Sequence, residues 1–507
     1  VAVFDKLAYG SYTIRVDREG YFATPPANSF TFLPTTAASA TAVAGPQPAD
    51  VSVLLTPGGS ISGRVLDAYG VPIANALVRT GNIGYNDGRR VYRPLSSAQP
   101  DALGNYVLTT LENGEYYIRL ELSAQRGGGD YYPGVVDIDN AIRIPVQAGQ
   151  QIVGIDFNMS NSQTFKVSGN VLNLPARTLA NGQPDNTVPS LTFASADPHY
   201  VDPQGTPLLT NSRRGSNGEF EIALPPGLWD VFPVINMRPP TLAARGNNVT
   251  TPVPAPAPGL PVYATGRARV FVSDRDVENV SVTISASDIK GRIVYDRVTP
   301  APGGNPLRVG LLPVDNTPSP LISHLRTLQT TDASGGFSFE SVPAGRYSLQ
   351  FATIPAGFYV ADIRVGSKSI YDDGAITVGT EPIGPVEVTL RSGGGTILVV
   401  TGTSATTAEP NLFAMNRSVP RFVLVPAAPR QQNVMLYKTV LATRATTWIF
   451  PDVAPGDYKA FAFEALPSGG AEQNAEFMAK YEGRGVPVHV NAGQTVRVQV
   501  PWIPAEQ

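Results

Sequence analysis

The sequence predicts an all-β protein: tandem antiparallel β-sandwiches of the immunoglobulin-like kind, set end to end as an elongated rod. Three observations predict it. One aromatic-flanked turn recurs at intervals of 104, 113, 118 and 111 residues, the size of one small sandwich domain. Around each copy, apolar residues alternate with period two, as in half-buried strands. The composition is rich in turn residues and poor in charge, with Gly 49 and Pro 47 in 507 residues and 16% charged residues, against about 25% in ordinary domains. No stretch carries a sustained 3.6-residue apolar period.

The recurring turn reads strand, apolar anchor, Pro/Gly turn, one residue, aromatic, strand. Its copies are FDKLAYGSYTIRV (4–16), LTTLENGEYYIRL (108–120), FEIALPPGLWDVFPV (220–234), FSFESVPAGRYSLQF (337–351) and WIFPDVAPGDYKAFAF (448–463). The turn glycines are Gly10, Gly114, Gly227, Gly345 and Gly456, and the aromatics two residues on are Tyr12, Tyr116, Trp229, Tyr347 and Tyr458. Glycine accepts positive φ and suits a sharp corner. The aromatic is expected to point into the core, where a tyrosine can hydrogen-bond back to the corner backbone. Trp229 has no hydroxyl, so the third unit is expected to differ locally.

Three further elements accompany the corner. An opening strand precedes it in ISGRVLDAYGVPIANALVRT (61–80), VSGNVLNLP (167–175), IKGRIVYD (289–296) and, more loosely, GGTILVVTG (394–402). An Asp/Asn-Gly turn stands before the aromatic strand in DALGNY (101–106), SNGEF (216–220) and DASGGF (332–337). A closing strand follows in DVSVLL (50–55), IVGIDFNM (152–159), VENVSVTI (277–284), GPVEVTL (384–390) and QTVRVQV (494–500). The expected units are 1–57, 58–162, 163–286, 287–391 and 392–507. The first is the second half of a repeat. Its apolar face is expected to be covered either by residues preceding Val1 or by a neighbouring subunit. The joints are short, and the Pro-rich stretch 238–261 reads as a surface excursion. The one helical candidate is 471–485, with Phe477, Met478 and Tyr481 on one face.

Composition excludes several function classes. Lys+Arg 38 against Asp+Glu 41 gives no basic face for nucleic acid. No apolar run reaches the roughly 18–20 residues of a membrane span. With no cysteine there is no disulfide, thiolate metal site or cysteine nucleophile. The histidines His199, His324 and His489 share no local motif with each other or with a carboxylate, and zinc signatures are absent. DRDVEN (274–279) and YDDG (371–374) lack the alternating ligands and closing Glu of a calcium loop. RGGGD (126–130) and RSGGG (391–395) are followed by neither Lys-Ser/Thr nor a helix, so no phosphate cradle is expected. No catalytic residue, metal or cofactor is expected. Tyr85, Tyr92, Tyr131 and Tyr132 are the residues suited to ligand or partner contact, because exposed rings stack on sugars or anchor proteins.

GRVLDAYGVPIANALV, DALGNYVL and LENGEYYIRL together resemble the carboxypeptidase regulatory-like domain family. The resemblance implies a transthyretin-like β-sandwich, grouped with carbohydrate-binding-like folds and with surface-protein B-type repeats. It fits 58–162 and 287–391 well. Residues 392–507 look like the terminal domain of long secreted bacterial proteins of this type, and 163–286 diverges. Peptidase activity is not implied, because that chemistry belongs to a separate zinc domain. Some related repeats form Lys–Asn isopeptide bonds beside a Glu on the strand after the corner. No Glu stands at that offset here, so none is expected.

The functional expectation is a non-catalytic extracellular or cell-surface structural or adhesive protein: a stalk, matrix component or filament subunit. Its partner would be a second copy or a surface protein, meeting strand edges or the open face of 1–57. The alternatives are a carbohydrate-binding accessory array and an accessory segment of an outer-membrane transporter system.

Overall fold

The computed structural model describes residues 10–18, 20–23, 37–44, 55–122, 129–135, 137–158, 164–174, 190–196, 213–214, 218–236, 263–296, 307–314, 328–379, 381–402, 419–442 and 447–505. The Pro-rich stretch 238–261, His199 and His324 lie outside them. The described structure is nearly all β, as expected.

The same wiring recurs from 58 onward. In each case the opening strand sits centrally in one sheet, antiparallel to the strand before the corner. In 58–162, Gly59–Leu66 pairs with Asn105–Leu111. The counterparts are Phe165–Leu172 with Glu219–Leu224, Ala286–Asp296 with Gly336–Pro343, and Gly395–Val400 with Thr447–Val453. The strand after the corner crosses to a second sheet. There Gly114–Leu122, Gly227–Asn236, Gly345–Phe351 and Gly456–Leu466 each pair with strands on both sides. The corner is therefore an arch between two sheets, and one apolar core fills the space between them.

The sandwiches are not wholly antiparallel. Each opening strand lies beside its closing strand in parallel. Ser60–Ile61 and Val65–Leu66 pair with Gln151–Ile152 and Phe157–Asn158. Phe165–Leu172 pairs with Val277–Thr283, Gly291–Asp296 with Val386–Arg391, and Thr396–Val400 with Thr495–Gln499. This pairing explains the inner glycine of the opening motif. A Cβ at Gly63 would overlap the Ile155 carbonyl, and one at Gly169 the Val280 carbonyl, because the closing strand passes directly over it. The last unit has Val399 in that register position, opposite Trp448, which is why its opening motif matches loosely.

In 1–57, Gly10–Asp17 pairs with Ala37–Ala44 and Tyr21–Ala23 with Leu55–Pro57, both antiparallel. Of the expected strand 50–55, only Leu55 lies among the described residues.

The rod departs from expectation in one respect. In an open row only successive units touch, yet the hairpin of Ala76–Asn86 and Arg89–Ala98 reaches the last unit, where Gly88 N–H donates to Gly469 O at 3.2 Å. The cause is the hairpin's length. Its neighbour Gly114–Leu122 pairs only with Ala76–Gly81, so the outer half extends past the sheet as an arm.

Candidate functional site

The corners are the most regular side-chain feature of the molecule. The Tyr116 hydroxyl donates to Glu112 O at 2.8 Å, Tyr347 to Pro343 O at 2.9 Å and Tyr458 to Ala454 O at 2.8 Å. Each bond spans the arch back to the residue four before the aromatic. Trp229 does not break the pattern as expected: its indole N–H donates to Pro225 O at 3.1 Å, the same bond from a different donor. All four rings are buried. Burial raises the pKa of the Tyr116 hydroxyl, and that of Tyr458 well above its ordinary range, which keeps both in their neutral, donating form. Gly227 and Gly456 have φ +148°, whereas Gly114 and Gly345 do not use positive φ. At Gly114 the nearest atoms to an added Cβ are those of the Tyr116 ring at 3.8 Å. The Tyr12 side chain lies outside the described residues; Gly10 and Tyr12 share a strand with Ala44 and Ala42 opposite.

Sequence reasoning missed a bulge just ahead of three corners. Thr110, Ser341 and Asp452 have φ +62°, +56° and +53°, each four residues before the corner glycine. At each, the pairing with the opening strand slips by one residue. The extra residue increases local twist and turns the strand toward the second sheet. The pairing of Phe165–Leu172 with Glu219–Leu224 runs without a slip. The Asp-Gly turns are also scaffolding. Asp101 Oδ1 accepts from the Leu103 and Asn105 amides, both at 2.8 Å. Asp332 Oδ1 does the same for Ser334 and Gly336, also at 2.8 Å. Both carboxyls are held below their ordinary range, chiefly by the side chains of Asn105 and Ser334.

The four loop tyrosines are not open platforms. Tyr92 is 1% exposed and Tyr131 4%, and their rings meet edge to face at 5.6 Å. They cover Arg119, itself 2% exposed, whose guanidinium lies 5.9 Å and 5.6 Å from the two ring centres. Arg119 pairs with Glu121 at 2.6 Å, and Glu121 also receives Arg79 at 3.1 Å. Burial pushes the nearby Asp130 carboxyl up, against the pull of Arg119. Tyr132 packs on the core, edge to face with Phe157 at 5.9 Å. Tyr85 does make a partner contact, but with the last unit of its own chain: it meets Phe477 edge to face at 5.5 Å and joins a cluster with Phe461, Phe463, Met478 and Tyr481. The helical candidate, seen as Ala471–Gln473, Ala475–Ala479 and Glu482–Arg484, supplies Phe477, Met478 and Tyr481 to that cluster, and the strand Gly456–Leu466 supplies Phe461 and Phe463.

Single side chains fasten the units together. Arg267 bridges 163–286 to 287–391, pairing with the buried Asp230 at 2.6 Å and donating to Ala344 O at 3.3 Å. Between 287–391 and 392–507, the fully buried Asn433 donates to Tyr371 O at 2.6 Å. Arg430 stacks 5.1 Å from the Tyr371 ring centre and reaches Asp372 at 3.2 Å. Burial, against the weaker pull of Arg430, raises the Tyr371 hydroxyl to about 12. Asp452 accepts from the Gly357 amide at 2.9 Å. The YDDG residues Asp372 and Asp373 are thus ion-pair partners, Asp373 of Arg346 at 2.8 Å. In DRDVEN, Asp276 accepts from the Lys166 amide at 2.8 Å.

His489 has a carboxylate partner that local sequence could not show. It faces Asp457 across paired strands, with Nδ1 2.8 Å from Asp457 Oδ1 and Nε2 3.2 Å from Asn491 Oδ1. The Asp457 contact raises its pKa first, and Asn491 adds to it. Both ring nitrogens are engaged, in an exposed surface pair. Among the described residues no group of three or more His, Asp and Glu could hold a metal ion, and no helix is long and apolar enough to cross a membrane.

No family model matches the chain, and comparison with curated proteins returns no match. Among solved structures, the chain is similar to the Bacillus anthracis TIE protein at 9% identity, covering 84% of this chain and 68% of that one, with a TM-score of 0.16. It is similar to a streptococcal ancillary pilin at 14% identity, covering 66% and 98%, with a TM-score of 0.18. It is also similar to the major pilin SpaD of Corynebacterium diphtheriae at 10% identity, covering 66% and 97%, with a TM-score of 0.16. Likeness at these TM-scores carries no inference about this chain, whose all-β fold is read from its own strand pairing.

Proposed function

We propose that this chain is a non-catalytic, load-bearing structural protein of the cell surface or extracellular matrix, serving as a stalk or filament subunit. Its units are 1–57, 58–162, 163–286, 287–391 and 392–507, the complete ones being regulatory-like sandwiches. The observation that carries the reading is the parallel pairing of opening and closing strands. Chain enters each complete unit on one and leaves on the other. In a parallel pair these two ends lie at opposite ends of the ladder. Tension along the chain therefore slides the two strands past each other and loads all their hydrogen bonds together. A hairpin pulled from its open end would instead lose them one by one. In 287–391 this ladder is unbroken from Gly291 to Asp296.

The placement of the recurring residues supports the same reading. Corner aromatics, turn aspartates and inner glycines all serve the scaffold, and Asp230, Asn433 and Arg430 fasten units together. Extracellular placement rests on the resemblance of the opening and corner motifs. Single-molecule pulling on the purified chain tests the proposal. Four cooperative rupture events of high force, one per complete unit, are expected. Smooth extension at low force would refute it.

A further inference from the structure

We infer that the arm of 58–162 and its seat on 392–507 form an exchangeable joint, and that the partner is a second copy of this chain. The inference rests on the structural-subunit reading and gives that subunit its means of association.

The contact is built on both sides. Gly88 N–H donates to Gly469 O at 3.2 Å, and Asn474 Nδ2 returns a bond to Gly88 O at 2.9 Å. Tyr85 fills the apolar seat made by Phe461, Phe463, Phe477 and Tyr481. Arg90 approaches Glu476 at 3.7 Å. The seat is shaped for a backbone. Gly469 and Gly470 have φ +95° and +86°, and a Cβ at Gly469 would overlap the Tyr85 carbonyl. Only a seat without side chains at those positions admits the arm.

The two surfaces differ in kind: one is a hairpin tip, the other an aromatic seat. They lie 386 residues apart between Gly88 and Asn474, and the arm extends beyond its own sheet. Neither sandwich core contains a residue of the joint. A copy that opens then presents a free tip at one end and a free apolar seat at the other. Unlike surfaces of this kind do not close on a single pair of molecules. They link copies head to tail. Within one chain the contact saturates itself, with an effective concentration on the order of millimolar for flexibly joined modules. Linking between copies therefore grows with concentration, or wherever copies are held densely side by side.

The test uses full-length chains. The protein has no cysteine, and a Cβ placed on Gly88 lies 2.9 Å from Gln473 Cβ. Gly88→Cys and Gln473→Cys chains are prepared separately, mixed and mildly oxidised across a concentration series, then read by non-reducing gel and intact mass. Mixed disulfide dimers are expected to exceed the random share of one half and to rise with concentration. Mixed dimers at the random share, or none at the highest concentration, overturn the inference. Because Gly88 has φ +74°, Tyr85→Ala in the otherwise unaltered chain provides a second reading by sedimentation. Concentration-dependent association is expected in the parent and not in the variant, and equal association in both overturns the inference. Filaments seen by microscopy without mixed dimers would sink this joint but not the load-bearing reading. Mixed dimers from chains that extend at low force would do the reverse.

Discussion

Removing the hydroxyl of a corner tyrosine should loosen one unit and leave the others unchanged. Tyr458→Phe deletes the 2.8 Å bond to Ala454 O with almost no change in shape. A net hydrogen bond contributes about 1 kcal/mol, and leaving a buried acceptor unsatisfied costs a further part of its desolvation. Ala454 is 4% exposed, so little water reaches its carbonyl. The expected loss is about 1–2 kcal/mol, a factor of roughly 5–30 in the opening equilibrium. Native-state hydrogen exchange reads it directly, because sub-global opening is resolved segment by segment. Amides in Thr447–Val453 and Gly456–Leu466 should exchange faster by that factor, while those in Gly345–Phe351 keep their rates. Trp229→Phe should do the same to Glu219–Leu224 and Gly227–Asn236, because the indole N–H supplies the same bond. Tyr69→Phe is the control, at 84% exposed. If Tyr458→Phe behaves like Tyr69→Phe, the corner bond does not hold the arch.

Other outcomes follow from the same geometry. Gly63→Ala should cost about 1–3 kcal/mol by forcing the closing strand away, whereas Gly114→Ala should stay within about 0.5 kcal/mol; thermal melting compares them, and equal losses would contradict the packing account. The lowered carboxyls of Asp101 and Asp332 mean that their turns favour the ionised form. The stabilisation is full above the unfolded carboxyl pKa of about 3.9 and fades as pH falls through the lower folded values. Leu103 and Ser334 amide protection measured from neutral to strongly acidic pH should follow that course, and pH-independent protection would contradict it. Asn433→Ala leaves Tyr371 O without its donor and should cost about 1–3 kcal/mol. It should also separate the melting of 287–391 from that of 392–507, and calorimetry showing an unchanged profile would count against that joint.

What the sequence revealed was what is local. The corner needs only a glycine and an aromatic two residues apart, so its five copies stand out without any knowledge of pairing. Tyr116, Tyr347 and Tyr458 make the bond their position suggests. Trp229 was misread because the hydroxyl was taken as essential, when any donor of the right reach suffices. The bulges at Thr110, Ser341 and Asp452 were hidden because alternation with period two reports a face and not a register. Parallel pairing of opening and closing strands was hidden for the same reason. Tyr131 looked exposed because GGGDYYPG reads as a loop, yet its ring, with that of Tyr92, covers Arg119. The arm had a visible signal in YNDGRR, an Asp-Gly turn between two strand-like runs. Its seat had none, since Gly469, Asn474 and Phe477 gain meaning only when the distant hairpin arrives.

Pulling on one unit in two directions tests the load-bearing claim most directly. Handles before Ala286 and after Ser392 load the parallel pair of 287–391 in shear. Handles placed instead on Phe358 and Ser392, which face each other at one end of the antiparallel pair of Phe358–Val365 with Val386–Ser392, peel that pair open bond by bond. The account predicts a clearly higher rupture force in the first direction, and a fall in that force alone when Val388→Pro removes a bond from the ladder. Equal forces in the two directions would contradict it.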